Sequence, residues 1–357
     1  MKKDQNRQGQ NPFSLSFGRK PAQYISRLVQ TEEIIEDFQQ DRPVSQVYMI
    51  TGVRGAGKTV FMTNIAHEFE EEEDWIVLEL NPNLDLRKEL TAALYAQPAM
   101  AAYFAEARID LSFFGLGVTI KKAPPVSDYD TALSRMLDVI RKKHRRVLVC
   151  IDEVSNTEQM RVFASTFQIL IRKDYPLHLL MTGLYENIYD LQNEKNLTFL
   201  YRAPKVQLEP LNYAAMKASY EHTLGVPEQE AGRMANLVKG YPYAFQLLGY
   251  LYWTRRPAAP DDVMALFDQY LDEYVYSKIW SELSAKDRMI LQAMVHTGKG
   301  SVRELREYLR MPSNTFSVYR ERLIRKGVIS SPERGRVIFQ LPRFEKFTAL
   351  KMEQEEV

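Results

Sequence analysis

The first dozen residues are polar and contain no periodic pattern, which predicts a flexible start. From Ile34 the apolar positions fall at helical spacing, through Ile35 and Phe38, and stop near Asp41-Arg42-Pro43. A short apolar run, Val47 to Thr51, leads straight into a glycine-rich turn. A second helical stretch, Thr59 to about Glu70, keeps Val60, Phe61, Ile65 and Phe69 on one side. Apolar runs recur at Trp75–Leu80, Val147–Ile151 and Leu177–Met181, separated by helix-like text. Strands alternating with helices predict an α/β parallel sheet with helices on both faces.

One insertion breaks this rhythm. Arg108 to Lys122 reads as two short strands around Gly115-Leu116-Gly117, a hairpin by the simplest reading. The helix expected from Asp128 to His144 ends in a basic cluster, Arg141 to Arg146, which fits a solvated helix end favoured by the helix dipole. Beyond Leu211 the strand signals cease, and residues 211–280 read as helical with a break at Gly240-Tyr241-Pro242. Three further helices are expected at Ser284–His296, Ser301–Arg310 and Pro312–Lys326, the last closed by Gly327. Strands at Val328–Ser331 and Arg336–Leu341 follow, and the set reads as a winged helix-turn-helix. The expected organisation is an N-terminal segment (1–46), a sheet domain (47–210) with the 108–122 insert, a helical domain (211–280) and a winged helix (281–347).

Composition narrows the function classes. Hydrophobic residues at 45% and charged residues at 26% describe a folded chain, not a disordered one. With 47 Lys/Arg against 46 Asp/Glu, a uniformly basic nucleic-acid coat is excluded, though a local patch is not. The single cysteine, Cys150, rules out an internal disulfide and reads as a small core residue. The start lacks the apolar segment of a secretory signal, and no run reaches a membrane-span length, so a cytoplasmic protein with no membrane partner is expected.

The strongest chemical signal is Gly52-Val53-Arg54-Gly55-Ala56-Gly57-Lys58-Thr59, a full match to G-x-x-x-x-G-K-[ST] between a strand and a helix. Its glycines allow successive backbone N–H groups to surround a polyphosphate, and the following helix adds its positive end. Lys58 can reach the β- and γ-phosphates, the Thr59 hydroxyl can ligate Mg²⁺, and Val60 completes the segment expected to hold ATP or ADP. The second signal is Val147-Leu148-Val149-Cys150-Ile151-Asp152-Glu153, a buried strand that ends in two acids. Asp152 is the expected metal carboxylate, and Glu153 the group that orients and deprotonates the attacking water.

On these motifs the chain resembles the AAA+ P-loop ATPases, nearest their prokaryotic STAND and origin-recognition-like branch, over Pro12 to Phe347. The resemblance implies an adenine contact from Arg27, in Ile25-Ser26-Arg27, although Ser26 stands where the family has glycine. It implies that Leu179-Leu180-Met181-Thr182-Gly183 is the sensor 1 strand, with Thr182 either near the γ-phosphate or simply capping the strand. It implies that Arg202 is either an arginine finger acting on a neighbouring subunit of a homo-oligomer or an ordinary surface arginine. It makes Gly240-Tyr241-Pro242 the G-x-P element of the lid, with Pro242 near the base. The usual sensor 2 arginine has no counterpart, Tyr243 and Ala244 standing in its place, which favours a slow switch over a motor.

The third constellation is C-terminal. From Arg303 to Lys346 there are eleven Lys/Arg and five acids, a local net charge of +6. As a reader of double-stranded DNA, the third helix would present Ser313, Asn314, Thr315, Ser317, Arg320 and Arg322, with Arg334 and Arg336 on the wing. The expected function is therefore a slow, Mg²⁺-dependent ATPase acting as a nucleotide switch coupled to DNA. The alternative is a STAND-like regulator whose winged helix stays internal and whose output is oligomerisation.

Overall fold

The computed structural model describes residues 10–16, 18, 20–109, 128–255, 260–298 and 300–355. The hairpin expected at 108–122 lies outside these residues except for Arg108 and Ile109. The chain forms two compact units. One holds residues 28–51 and 58–207. The other holds the described residues up to Arg27, the six residues Gly52–Gly57, and the chain from Leu208 onward.

The first unit begins with α1 (Leu28–Gln39) and β1 (Val47–Thr51), then α2 (Lys58–Glu70), β2 (Trp75–Leu80), α3 (Leu86–Tyr95) and α4 (Pro98–Glu106). It continues through α5 (Tyr129–Lys142), β3 (Arg146–Ile151), α6 (Glu158–Ile171), β4 (Leu177–Gly183), α7 (Tyr185–Gln192), α8 (Thr198–Arg202) and β5 (Lys205–Gln207). Side-chain caps start several of these helices. Asp85, Asp128 and Thr157 accept backbone N–H groups at the first turns of α3, α5 and α6, supplying partners the helix itself cannot. All four strand pairs are parallel, in the order β2-β3-β4-β1-β5. β4 is buried along its whole length, and its sequence is accordingly apolar apart from the buried His178 and Thr182.

The order has a functional consequence. β4 lies between β1 and β3, with Thr51 opposite Gly183 and Ile151 opposite Met181. The carboxyl ends of the three strands therefore fall side by side, where open α/β sheets bind ligands. One face of the sheet holds a polar residue that the apolar pattern concealed. His178 is buried between the rings of Phe38 and Trp75, with centroids 5.0 and 4.9 Å away, and burial pushes its pKa down to about 4. Cys150 is buried in β3, and desolvation raises its thiol pKa well above the usual range, so it is a core residue.

The second unit is mainly helical: α9 (Tyr213–Leu224), α10 (Glu228–Val238), α11 (Pro242–Thr254) and α12 (Pro260–Leu271). α12 runs through a π-helical turn (Asp272–Tyr276) into α13 (Ser277–Ser281). Then follow α14 (Ala285–Thr297), α15 (Val302–Leu309), α16 (Ser313–Arg325), β6 (Ile329–Ser330), β7 (Ile338–Phe339) and α17 (Phe344–Glu355). Ser284 and Asp287 form a reciprocal capping box at the start of α14. β6 and β7 pair antiparallel, and a bridge between Ser301 and Arg336 adds a third short stretch. Gly300 is required there, because its φ is +63° and a Cβ would sit 2.0 Å from the Val337 carbonyl oxygen. α17 was not foreseen in the sequence. Phe344 and Phe347 pack on Tyr276, whose hydroxyl donates to the Pro342 carbonyl at 2.5 Å. Among the described residues, no helix is long and apolar enough to cross a membrane.

Candidate nucleotide site

In the sheet unit, Lys58 and Thr59 are the first two residues of α2 and Asp152 follows the last residue of β3. The Thr59 hydroxyl donates to Asp152 Oδ2 at 2.7 Å, bringing the end of the glycine-rich motif onto the acid of the second motif. On the other side of the carboxylate, the fully buried Thr182 of β4 donates its hydroxyl to Asp152 Oδ1. Glu153 adopts a left-handed backbone, φ 53°, which is uncommon for a side chain of its size. That turn aims its N–H at Asp152 Oδ1, 3.0 Å away, and at Thr182 Oγ1, 3.3 Å away, while its own carboxylate stays exposed. Val154 N–H then reaches the Thr182 carbonyl at 2.8 Å, tying the loop after β3 to β4. The result is one carboxylate oriented by two hydroxyls and a backbone donor, beside an exposed second acid.

In the helical unit, Gly52–Gly57 form a loop whose turn is closed by Ala56 N–H on the Val53 carbonyl at 3.0 Å. Gly55 and Gly57 have φ of +78° and +81°, a left-handed region that glycine enters freely. Three successive carbonyls of the loop are bound by donors from this unit. The Tyr241 hydroxyl donates to the Arg54 carbonyl at 2.5 Å, Tyr243 N–H to Gly55 at 3.2 Å, and Arg27 Nη2 to Ala56 at 3.2 Å. A Cβ on Gly55 would lie 2.2 Å from the Tyr241 hydroxyl oxygen. Burial holds the Tyr241 phenol well above its ordinary pKa, so it remains a donor. The Arg54 side chain forms an ion pair with Glu282 at 3.3 Å, and a Cβ on Gly327 would lie 3.4 Å from Val53 Cβ.

These geometries can be set beside solved structures. A Walker-type ATPase of Pyrococcus abyssi superposes with a TM-score of 0.64 at 16% identity, covering 91% of this chain and 96% of that one. The ORC2 protein of Aeropyrum pernix, in ADPNP–ADP complexes, gives 0.57 at 13% identity, covering 93% and 96%. Its ADP form gives 0.51 at 13%, covering 95% and 97%. This is the P-loop AAA+ fold. Residues 273–348 match a sequence family described as a domain of unknown function, DUF8462. No curated protein matches the chain.

Within the AAA+ fold the expected site residues separate into groups. Gly52, Val53, Arg54, Gly55, Ala56 and Gly57 form the loop, and Lys58, Thr59 and Val60 open α2. Asp152 and Glu153 stand at the end of β3. Thr182, expected either near the γ-phosphate or as a strand cap, is buried and donates its hydroxyl to Asp152. Arg27, expected near the adenine, is placed against the loop. Its guanidinium holds the carbonyls of Ala56 and Glu209, so it braces the loop. Pro242 is the first residue of α11 and would lie 3.8 Å from a Cβ on Gly57. Arg202 is exposed at the end of α8.

The C-terminal basic set is largely engaged within the chain. Arg322 was expected to face DNA, but it pairs with the fully buried Asp287 at 2.6 Å and donates to Ser284 Oγ at 2.5 Å. Lys326 serves the same acid at 3.6 Å, and Arg336 pairs with Glu333 at 3.1 Å. Arg343 and Lys346 both meet Asp268. Ser313, Asn314, Ser317 and Arg334 are exposed, while Thr315 and Arg320 are half-buried. Sequence reasoning missed the roles of Tyr241, Tyr243 and Glu282, because none belongs to the phosphate motif. The signal available was the break at Gly240-Tyr241-Pro242. Gly240 has φ +74°, and a Cβ there would lie 2.5 Å from Pro210 Cβ, so the break is a position that only glycine fits.

Proposed function

We propose that this chain binds ATP and ADP with Mg²⁺, hydrolyses ATP slowly and acts as a nucleotide-dependent switch. The observation that carries the reading is the 2.7 Å contact between Thr59, which closes the glycine-lysine motif, and Asp152. Two hard oxygen donors of this kind suit Mg²⁺, which takes few protein ligands and keeps waters and phosphate oxygens for the rest. Thr59 and Asp152 would hold the ion, whose charge neutralises the phosphate oxygens. Lys58 would meet the β- and γ-phosphates. Glu153, exposed beside Asp152, would orient and deprotonate the attacking water. The likeness to a Walker-type ATPase, and to a protein solved with ADP and ADPNP, supports the same reading. Arg202 would act as a finger only in an assembly of several copies. The test is calorimetric titration of ADP and ATP with Mg²⁺ into wild type and Lys58→Ala, with phosphate release followed in parallel. Binding by wild type that the variant loses supports the reading; absence of binding by wild type removes it.

The nucleotide state would be read by the C-terminal helices, which we take as a winged helix. Exposed Ser313, Asn314, Ser317 and Arg334 support duplex DNA as the partner. A second reading, in which the module answers only to the phosphate loop, is favoured by the Arg54–Glu282 pair and by Gly327, where an added Cβ would meet Val53 at 3.4 Å. A salt titration of full-length protein with duplex DNA separates them. Affinity that falls steeply with salt and drops on replacing Arg334 supports DNA. Absence of affinity at low salt supports the internal module.

A further inference from the structure

We infer that Tyr241 is a positioning residue that presets the phosphate loop through its carbonyl face. The inference rests on reading Gly52–Thr59 as a phosphate cradle. It adds a residue outside that motif and a role distinct from contact with the nucleotide.

The argument starts from peptide geometry. A trans peptide is planar, with its C=O and the following N–H pointing in opposite directions. Holding a carbonyl therefore aims the next N–H away from the holder. In this loop three consecutive carbonyls, those of Arg54, Gly55 and Ala56, are held by Tyr241, Tyr243 and Arg27. The N–H groups of Gly55, Ala56 and Gly57 are thereby directed to the opposite side, and that of Ala56 closes the turn on Val53. Gly55 and Gly57 have the least intrinsic backbone preference of any residues. Without external donors their peptides would rotate among many orientations. The anchors remove that freedom before a ligand arrives, which is how preorganisation raises affinity.

Tyr241 is the anchor best suited to this role. It is 5% exposed, it is the residue immediately before α11, and its hydroxyl is bound to the loop. Its own backbone is fixed by Tyr241 N–H on the Val238 carbonyl at 2.8 Å. Gly240 is fixed as well, its carbonyl accepting from Leu211 N–H at 2.8 Å. The ring therefore approaches the loop from a rigid base, and its hydroxyl needs a Gly55 without a side chain.

The test is Tyr241→Phe, which removes only the hydroxyl. Tyr276→Phe is the control, since it deletes a buried hydroxyl that donates to a backbone carbonyl outside the loop, that of Pro342. Two quantities are read in the full-length protein: amide hydrogen exchange of peptides covering residues 50–60 without nucleotide, and the calorimetric Kd for Mg-ADP. The expected result is faster exchange in the loop and a Kd raised about threefold to tenfold in Tyr241→Phe, the yield of one lost hydrogen bond. Tyr276→Phe is expected to lower the melting temperature similarly with neither change. Unaltered loop exchange in Tyr241→Phe overturns the inference, whether or not wild type binds nucleotide. Faster exchange with an unaltered Kd overturns it too, as the loop would then be anchored without consequence for binding. If wild type binds no nucleotide, the proposed function fails, and the exchange data alone decide whether Tyr241 holds the loop.

Discussion

Replacing Thr182 by valine keeps the side chain's shape and deletes one hydroxyl. That hydroxyl is fully buried, donates to Asp152 Oδ1 and receives the Glu153 N–H at 3.3 Å. A hydrogen bond to a charged group contributes about 1.5–3 kcal/mol, whereas a neutral contact at that length adds little. Valine offsets roughly 1 kcal/mol of this, because it buries a methyl group where threonine buried a hydroxyl. The expected net loss is about 0.5–2 kcal/mol, or a melting temperature lower by roughly 1–8 °C. Asp152 keeps the Glu153 N–H at 3.0 Å and the Thr59 hydroxyl at 2.7 Å, so the carboxylate is loosened, not freed. The Mg²⁺-dependent part of ADP affinity should fall about threefold to tenfold, with affinity in chelator unchanged. Urea unfolding and calorimetry with and without Mg²⁺ measure both effects, and Thr182→Ser should restore them. A valine variant with wild-type stability and slowed turnover would refute this account. The hydroxyl would then act on the phosphate or the attacking water directly.

Glu153→Gln should leave nucleotide binding intact and slow phosphate release by roughly 10²–10⁴, and wild-type turnover would remove Glu153 from catalysis. His178, with its pKa held near 4 by burial, is neutral in the fold, so its contribution is full above the unfolded value of about 6.5. As pH falls from 6.5 to 4 about 3 kcal/mol is lost, and His178→Phe should flatten that part of the stability curve; parallel curves would exclude it as the source. Gly240→Ala combines φ +74° with a 2.5 Å approach to Pro210 Cβ, whereas Gly225 has φ +62° and no atom within 4 Å of the added carbon. The first should destabilise by clearly more than the ~1–2 kcal/mol expected of the second, and equal unfolding midpoints would disprove the crowding at Gly240. Glu282→Gln should change stability by less than about 1 kcal/mol, because the Arg54 pair is partly exposed, and a larger shift would mean the pair bears on the fold itself.

Much of the AAA+ sheet is legible because its signals are local. Val47–Thr51, Val147–Ile151 and Leu177–Gly183 are strands buried by sheet and helix, and burial on both faces keeps them largely apolar, with Thr51, His178 and Thr182 as the buried polar exceptions. The phosphate motif is legible because backbone–phosphate contact needs glycines at fixed spacing, a constraint on chemistry within eight consecutive residues. Arg322 was open to misreading for the opposite reason. Arginine in a basic helix looks the same whether it faces solvent or a buried acid thirty-five residues away, as Arg322 does with Asp287. α17 also escaped notice, since its pairing of Phe344 and Phe347 with Tyr276 depends on a partner far back in the chain.

The amino-acid order alone determined the alternation of strands and helices, the phosphate motif and the two acids after β3, all of which depend on neighbours in the chain. Tertiary structure decided which groups those residues serve. It joined Thr59 and Thr182 to Asp152, and it brought Tyr241 and Arg27 to the carbonyls of the loop. The physical reason is that a hydrogen bond is specified by the position of both partners. Where the second partner comes from an element distant in sequence, only the packed fold brings it within hydrogen-bonding distance of the first.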